Sequence, residues 1–138
     1  MITPGLCYSY LGEVLAGIHQ PGDEYRVALY TENATVSPSS KIYTPAGEVP
    51  TAGGYSAGGR ILTGFSVFTS PTGAFADFAD ALWPNATITA RGAMIYNASK
   101  GKRALLVLDF GSNISATAGS FSLIFPPPTA AEALIRLS

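Results

Sequence analysis

Between Pro84 and Gly111 the chain reads PNATITARGAMIYNASKGKRALLVLDFG, two runs of strand-forming residues joined by one polar turn. In the first run Ile88, Ala90, Gly92, Met94 and Tyr96 fall on one face, and Thr87, Thr89 and Arg91 on the other. A half-buried strand needs that alternation, because successive side chains point to opposite faces. In the second run Leu105, Leu106, Val107, Leu108 and Phe110 are almost continuously apolar, as in a strand covered on both sides. Asn97, Ser99, Lys100, Gly101 and Lys102 supply the turn between them. The other segments are expected to pack around this hairpin.

Three further strands are legible. Glu24–Thr31 carries apolar bulk on both faces and reads as an inner strand. Arg60–Ser70 alternates Ile61, Thr63, Phe65, Val67 and Thr69 with Leu62, Gly64, Ser66 and Phe68; Gly64 marks a bulge or a close approach of another backbone. Ser120–Phe125 puts Phe121, Leu123 and Phe125 on one face, and Pro126, Pro127 and Pro128 stop it. Ser112–Gly119 reads as a turn-rich loop. Phe75–Trp83 fits either a helical turn or a short irregular strand, with Phe75, Phe78 and Trp83 as core anchors.

Tyr8–His19 is the best helix segment. Leu11, Val14, Leu15 and Ile18 form one apolar stripe that should pack on the sheet, Ser9 is the expected N-cap, and Gln20, Pro21 and Gly22 end the run. His19 then lies at the helix C-terminus, where the dipole favours a cation. In the tail, Thr129 and Glu132 have capping-box spacing, so a brief turn or helix is expected before a strand at Leu134–Leu137.

The 28 or so residues from Glu32 to Gly59 contain only one short strand-like piece, Lys41–Thr44. A connection that long is either an assembly arm or an ordered surface loop. Its Gly53, Gly54, Gly58 and Gly59 invite a phosphate-binding reading, but no Gly-Lys-Ser/Thr occurs and no helix pattern follows. The glycines are better read as turn formers.

The chemistry-bearing residues are sparse. One histidine, His19, and one cysteine, Cys7, leave no disulfide and no multi-cysteine zinc site within the chain. No G-x-S-x-G elbow occurs. Asp77 with Asp80, and Asp23 with Glu24, are the nearest paired carboxylates, but lack the spacing of a calcium loop and read as surface or cap residues. Asp109, inside an apolar strand, is expected to pair across the hairpin with Arg91 as a structural device. The four Asn-x-Ser/Thr triplets, at Asn33, Asn85, Asn97 and Asn113, read as turn asparagines. No catalytic residue, cofactor or metal site is expected.

Charged residues make up 12% of the chain and apolar residues 47%, with a net charge of −1. A surface so poor in charge is expected to be covered by copies or neighbours. Lys100, Lys102 and Arg103 lie at one turn and form no basic stripe, so no nucleic-acid partner is expected. The N-terminus lacks a basic segment before a long apolar run, and no stretch is long and apolar enough to span a bilayer, so synthesis in a cytoplasm without a cleaved signal is expected.

In order along the chain stand SYLGEVLAGIH, YRVALYT, GGYSAGGRILTG, LWPNATITARGAMIYN, LLVLDFG and GSFSLIF. This ordered set resembles a broad group of small tailed-bacteriophage virion proteins, labelled tail-fibre or head structural proteins. The closing FPPPTAAEALIRL departs from many of them. The resemblance implies an all-β fold, mainly an antiparallel β-sandwich with one short N-terminal α-helix. Residues 1–138 would then form a single domain with a long loop or arm at 32–59. It also implies a non-enzymatic virion component, most simply a capsid decoration (cement) protein on the head surface. A tail or fibre attachment part is the alternative in the same class. The expected partners are further copies of itself, a trimer being one arrangement, and the major capsid protein or another virion protein. Lys41, Ile42, Tyr43 and Tyr55 are the expected assembly contacts. From a different class comes a carbohydrate-binding module, in which exposed Tyr43 and Tyr55 would stack on sugar rings.

Overall fold

The long hairpin is the spine of the protein. In the computed structural model, which describes residues 1–125 and 134–137, the elements run in the following order. They are β1 (Gly5–Leu6), α1 (Tyr8–Leu15), β2 (Tyr25–Tyr30), β3 (Arg60–Ile61), β4 (Ser66–Ser70), β5 (Gly73–Asp77), β6 (Ala81–Asn97), a 3₁₀ turn at Ala98–Lys100, β7 (Arg103–Leu123) and β8 (Ile135–Leu137). One sheet has the order β1-β7-β6-β2-β3 and a second the order β4-β5-β8, and every neighbouring pair is antiparallel. The fold is therefore all-β with one short helix.

The spine turns where its residues require it. The Asn97 side chain accepts from the Ser99 amide at 3.0 Å, and Gly101 is left-handed, so the chain reverses within five residues, 98–102. On either side Val27, Leu29, Met94, Ile95, Leu105 and Val107 are all buried, as inner strands demand. Beyond Arg91 the two long strands continue as a ribbon. Here Ser112–Gly119, expected as a loop, is part of β7. Its Ser and Thr residues do cross-strand work: Ser115 Oγ lies 2.9 Å from Thr89 Oγ1, and the Ala118 amide donates to Thr87 Oγ1 at 3.0 Å. The turn signals mark register shifts between β6 and β7, not a reversal of the chain.

The expected strand Arg60–Ser70 is cut in two. Arg60–Ile61 joins β2, while Ser66–Ser70 begins the second sheet. The break is at Gly64, φ +69°, where an added Cβ would stand 3.0 Å from Ala79 Cβ. Phe75–Trp83 is likewise divided between β5 and the start of β6, so the helical-turn option is excluded. Trp83 and Phe78 are core residues, whereas Phe75 is half-buried and stacks on Phe68. Tyr25, Phe65 and Phe78 touch one another with centroids 5.0–5.4 Å apart and tie the sheets into one hydrophobic cluster.

The helix is shorter than expected and turned differently. Its N-cap is Cys7, without a side-chain cap, and Ser9 sits inside it with a buried, unpartnered hydroxyl. It ends in a Schellman motif: Ile18 N–H donates to Glu13 O and Gly17 N–H to Val14 O, both at 3.1 Å. Cys7 and Tyr10 face the sheet, while Leu11 is 39% and Leu15 91% exposed. The cause is the entry. β1 pairs with Leu106 and Val107, and the Cys7 amide bonds Leu105 O at 2.8 Å, which aims the first turn before the stripe can act. At the other end, Ile135–Leu137 pairs with β5, one residue inside the expected strand. Pro126–Pro128 and the Thr129/Glu132 capping box lie outside the described residues.

Candidate functional site

The 32–59 loop is laid on the large sheet and fastened there mainly by tyrosines. Its expected short strand is a single antiparallel bridge, Ile42 to Arg103: the Tyr43 amide donates to Lys102 O at 2.8 Å and the Ala104 amide to Lys41 O at 3.0 Å. Tyr30 donates from Oη to Thr44 O at 2.6 Å, and Tyr96 donates to Gly58 O. Glu48 is the hub. Its Oε1 accepts from Tyr43, and its Oε2 accepts from Tyr55 at 2.5 Å and from the Gly58 amide at 2.8 Å. Tyr55 Oη in turn accepts from the Leu29 amide at 2.9 Å. Burial pushes the phenols of Tyr43 and Tyr55 up, and Glu48 adds to the rise, so both stay protonated donors. At the far end Gly59 lies so close to β2 that an added Cβ would stand 1.9 Å from Val27 O. The glycine-rich run is there for backbone approach.

The four expected contact residues therefore separate. Ile42 is 59% exposed and Lys41 is exposed beside it. Tyr43 is half-buried, stacked on Tyr96 at 4.8 Å, with Lys102 Nζ 5.6 Å from its ring. Tyr55, 2% exposed, is a core residue and not a contact, which also removes it as a platform for a sugar ring. The reason is the Glu48–Leu29 network, which draws Tyr55 inward. Ile42 thus stands on a fixed backbone, next to a cleft of about 490 Å³ lined by Ser9, Glu13, Ile18, Lys41, Lys100 and Arg103.

Behind that cleft lies a polar cluster that the sequence reading missed. His19 Nε2 meets Glu13 Oε1 at 2.8 Å and His19 Nδ1 meets Asn97 Nδ2 at 2.9 Å. An amide nitrogen can only donate, so Nδ1 is the acceptor and the proton sits on Nε2, toward Glu13. Arg103 bonds Glu13 Oε2 at 3.0 Å, and Asn97 and Lys100 both bond Asp23 at 2.8 Å. Lys100 foremost, with Asn97 and the Gln20 amide, holds the Asp23 carboxyl down at about 2 against the opposing effect of burial. His19 follows the helix and is occupied at both nitrogens. Glu13, His19 and Asp23 are near one another in the chain, and the hairpin turn brings Asn97, Lys100 and Arg103 to them from 74 to 90 positions away.

The Arg91–Asp109 pair is present, with Nε 3.0 Å from Oδ1. Asp109 Oδ1 also accepts from the Gly111 amide at 2.9 Å, and that bond, followed by Arg91, lowers its pKa. Asp77 and Asp80 act separately as backbone acceptors, for Phe78 and Phe125. Burial, with Glu13 second, raises the Cys7 thiol to about 11, far from a reactive thiolate. Among the described residues no three His, Cys, Asp or Glu side chains gather as a metal-binding group.

Comparison with protein-family models, curated proteins and solved structures finds no match. The surface around Ile42 is thus read from its own geometry. It offers an apolar tip, an ion-paired polar rim and a backbone held by the bridge to Arg103. Such a surface is suited to docking.

Proposed function

We propose that this chain is a non-enzymatic virion component, a capsid decoration protein that binds the assembled head and stabilises it. The observation that carries the reading is Ile42. A side chain 59% exposed on main chain held by two strand-type bonds is a pre-organised contact, whose ordering cost is already met on folding. The cleft beside it is lined by Lys41, by the Glu13–Arg103 ion pair and by Lys100, which is paired with Asp23, so the complementary site on the shell is an apolar socket with polar margins. The resemblance of the ordered sequence pattern to small phage virion proteins is the other support for this reading.

The test is binding of the purified protein to empty heads of the encoding phage that lack it, followed by counting copies per particle. Many symmetric copies, lost with Ile42→Asp while the folded state is kept, is the expected result. Copies only at the tail would move the protein to a tail or fibre position. No binding to heads or tails would overturn the virion reading.

A further inference from the structure

Strand β4, Ser66-Val67-Phe68-Thr69-Ser70, is exposed at every position except Ser70, with Val67 at 59% and Phe68 at 40%. It pairs with β5 on one side, and no described strand lies on the other. Proteins usually guard such an edge with charge, proline or a bulge. Here there is no Asp, Glu, Lys or Arg from Ile61 to Ala76, and the only proline, Pro71, lies in the turn beyond the strand. The pairing with β5 runs from Ser66↔Asp77 to Ser70↔Gly73 without a register shift. Among the described residues the other candidate edges are guarded: β1 and β3 are two residues long, β8 is three and carries Arg136, and the distal halves of β6 and β7 are broken by register shifts.

The strand also reads alike in both directions. About Phe68, Ser66 matches Ser70, and Val67 matches Thr69, both β-branched. A partner of the same sequence running antiparallel would put hydroxyl opposite hydroxyl, β-branched opposite β-branched and aromatic opposite aromatic, all favourable cross-strand pairs. We infer that β4 is the surface by which two copies of this chain pair edge to edge, antiparallel about a two-fold axis at Phe68. The pairing joins two three-stranded sheets into one of six strands.

The main chain fits this arrangement. With Pro71–Thr72 as a two-residue turn, Ser70 and Gly73 form the closing hydrogen-bonded pair. Alternation then leaves the N–H and C=O of Val67 and Thr69 pointing away from β5. They bond Thr69 and Val67 of the second copy. Phe68 meets its counterpart at a non-hydrogen-bonded position, where side chains approach closest. Phe68 already stacks on Phe75 at 5.2 Å and 20°, so pairing makes a row of four rings. The contact is isologous and closes at two copies; a trimer needs a different surface. The inference does not use the virion reading.

The experiment is sedimentation and light scattering of the full chain over a wide concentration range. The wild type should reach twice the 14.3 kDa chain mass. Thr69→Pro removes an outward N–H while sparing the bonds to β5, and should stay monomeric with an unchanged circular dichroism spectrum. Should that variant fail to fold, Val67→Lys and Thr69→Glu serve instead: each alone weakens the dimer, and mixing the two restores it, because the inferred register sets residue 67 opposite residue 69. Four results would each overturn the inference: a wild type monomeric throughout, a dimer indifferent to Thr69→Pro, a mixture no better than its components, or assemblies growing past two copies.

Discussion

Replacing Glu48 with alanine strips the 32–59 loop of its hub. Three donors lose their acceptor at once: the Tyr43 and Tyr55 hydroxyls and the Gly58 amide. They are not equal. Tyr55 is 2% exposed, so its hydroxyl has no water to turn to, and a buried donor left unsatisfied costs about 1–3 kcal/mol. Tyr43 and Gly58 are half-buried and recover much of their loss from solvent. Since a bond to a charged acceptor contributes about 1.5–3 kcal/mol, the expected total is about 3–4 kcal/mol. That is a large part of the ~5–15 kcal/mol that holds a typical domain. At ~2–4 °C per kcal/mol for a chain of this size, the melting temperature falls by about 10 °C. Urea unfolding measures the first figure and a thermal scan the second. Amide exchange at Leu29, whose N–H bonds Tyr55 Oη, reports whether the loop has detached. Glu48→Gln keeps an acceptor and should cost less than half as much. A Glu48→Ala protein within about 0.5 kcal/mol of wild type, the range of an ordinary surface substitution, would refute the hub.

Arg91→Ala, Asp109→Ala and the double variant should show favourable coupling that shrinks as salt is added, since both side chains are partly open to water; strict additivity would mean the pair contributes nothing. Asp23 makes a pH prediction. Its carboxyl titrates at about 2 in the folded chain against an ordinary 3.8. The stabilisation it provides is therefore complete above about pH 4 and drains away as pH falls toward 2. Lys100→Met removes the main cause, so the Asp23 titration followed by carbon NMR should move up toward its ordinary value. A titration that stays in place would show that Lys100 is not the cause.

The parts of this fold that were legible in sequence are those decided by neighbours in the chain. The hairpin reverses at Asn97–Gly101 because the side chain of Asn97 and a left-handed glycine act within five residues. β2 and the proximal half of β7 carry apolar bulk on both faces and are inner strands, whereas the proximal half of β6, expected to be half-buried, is covered on both faces because Ala93 and Ile95 are buried as fully as Met94. Arg91 and Asp109 were paired from strand position alone. The candidate site was legible only in part. Of the residues read as contacts Lys41 and Ile42 are exposed, but Tyr55 is buried, because nothing in GGYSAGG announces that Glu48 and the Leu29 amide wait for its hydroxyl.

What the tertiary structure decided is orientation, partition and meeting. The stripe of Leu11, Val14, Leu15 and Ile18 does not set the helix's orientation; β1, paired to Leu106 and Val107, turns Cys7 and Tyr10 to the sheet and leaves Leu11 and Leu15 exposed. The alternation from Arg60 to Ser70 is unbroken in sequence, yet the segment serves two sheets, because Ala79 crowds Gly64 and a period-two pattern says nothing about which sheet a strand joins. Ser112–Gly119 has turn composition but lies opposite Thr87 and Thr89, which give its hydroxyls and amides partners in an extended chain. His19 and Asp23 reach Asn97 across 78 and 74 positions of chain, a meeting that no local pattern encodes. Local chemistry determines where a chain like this must extend and where it must turn; which faces then meet is settled by burial, a property of the assembled whole.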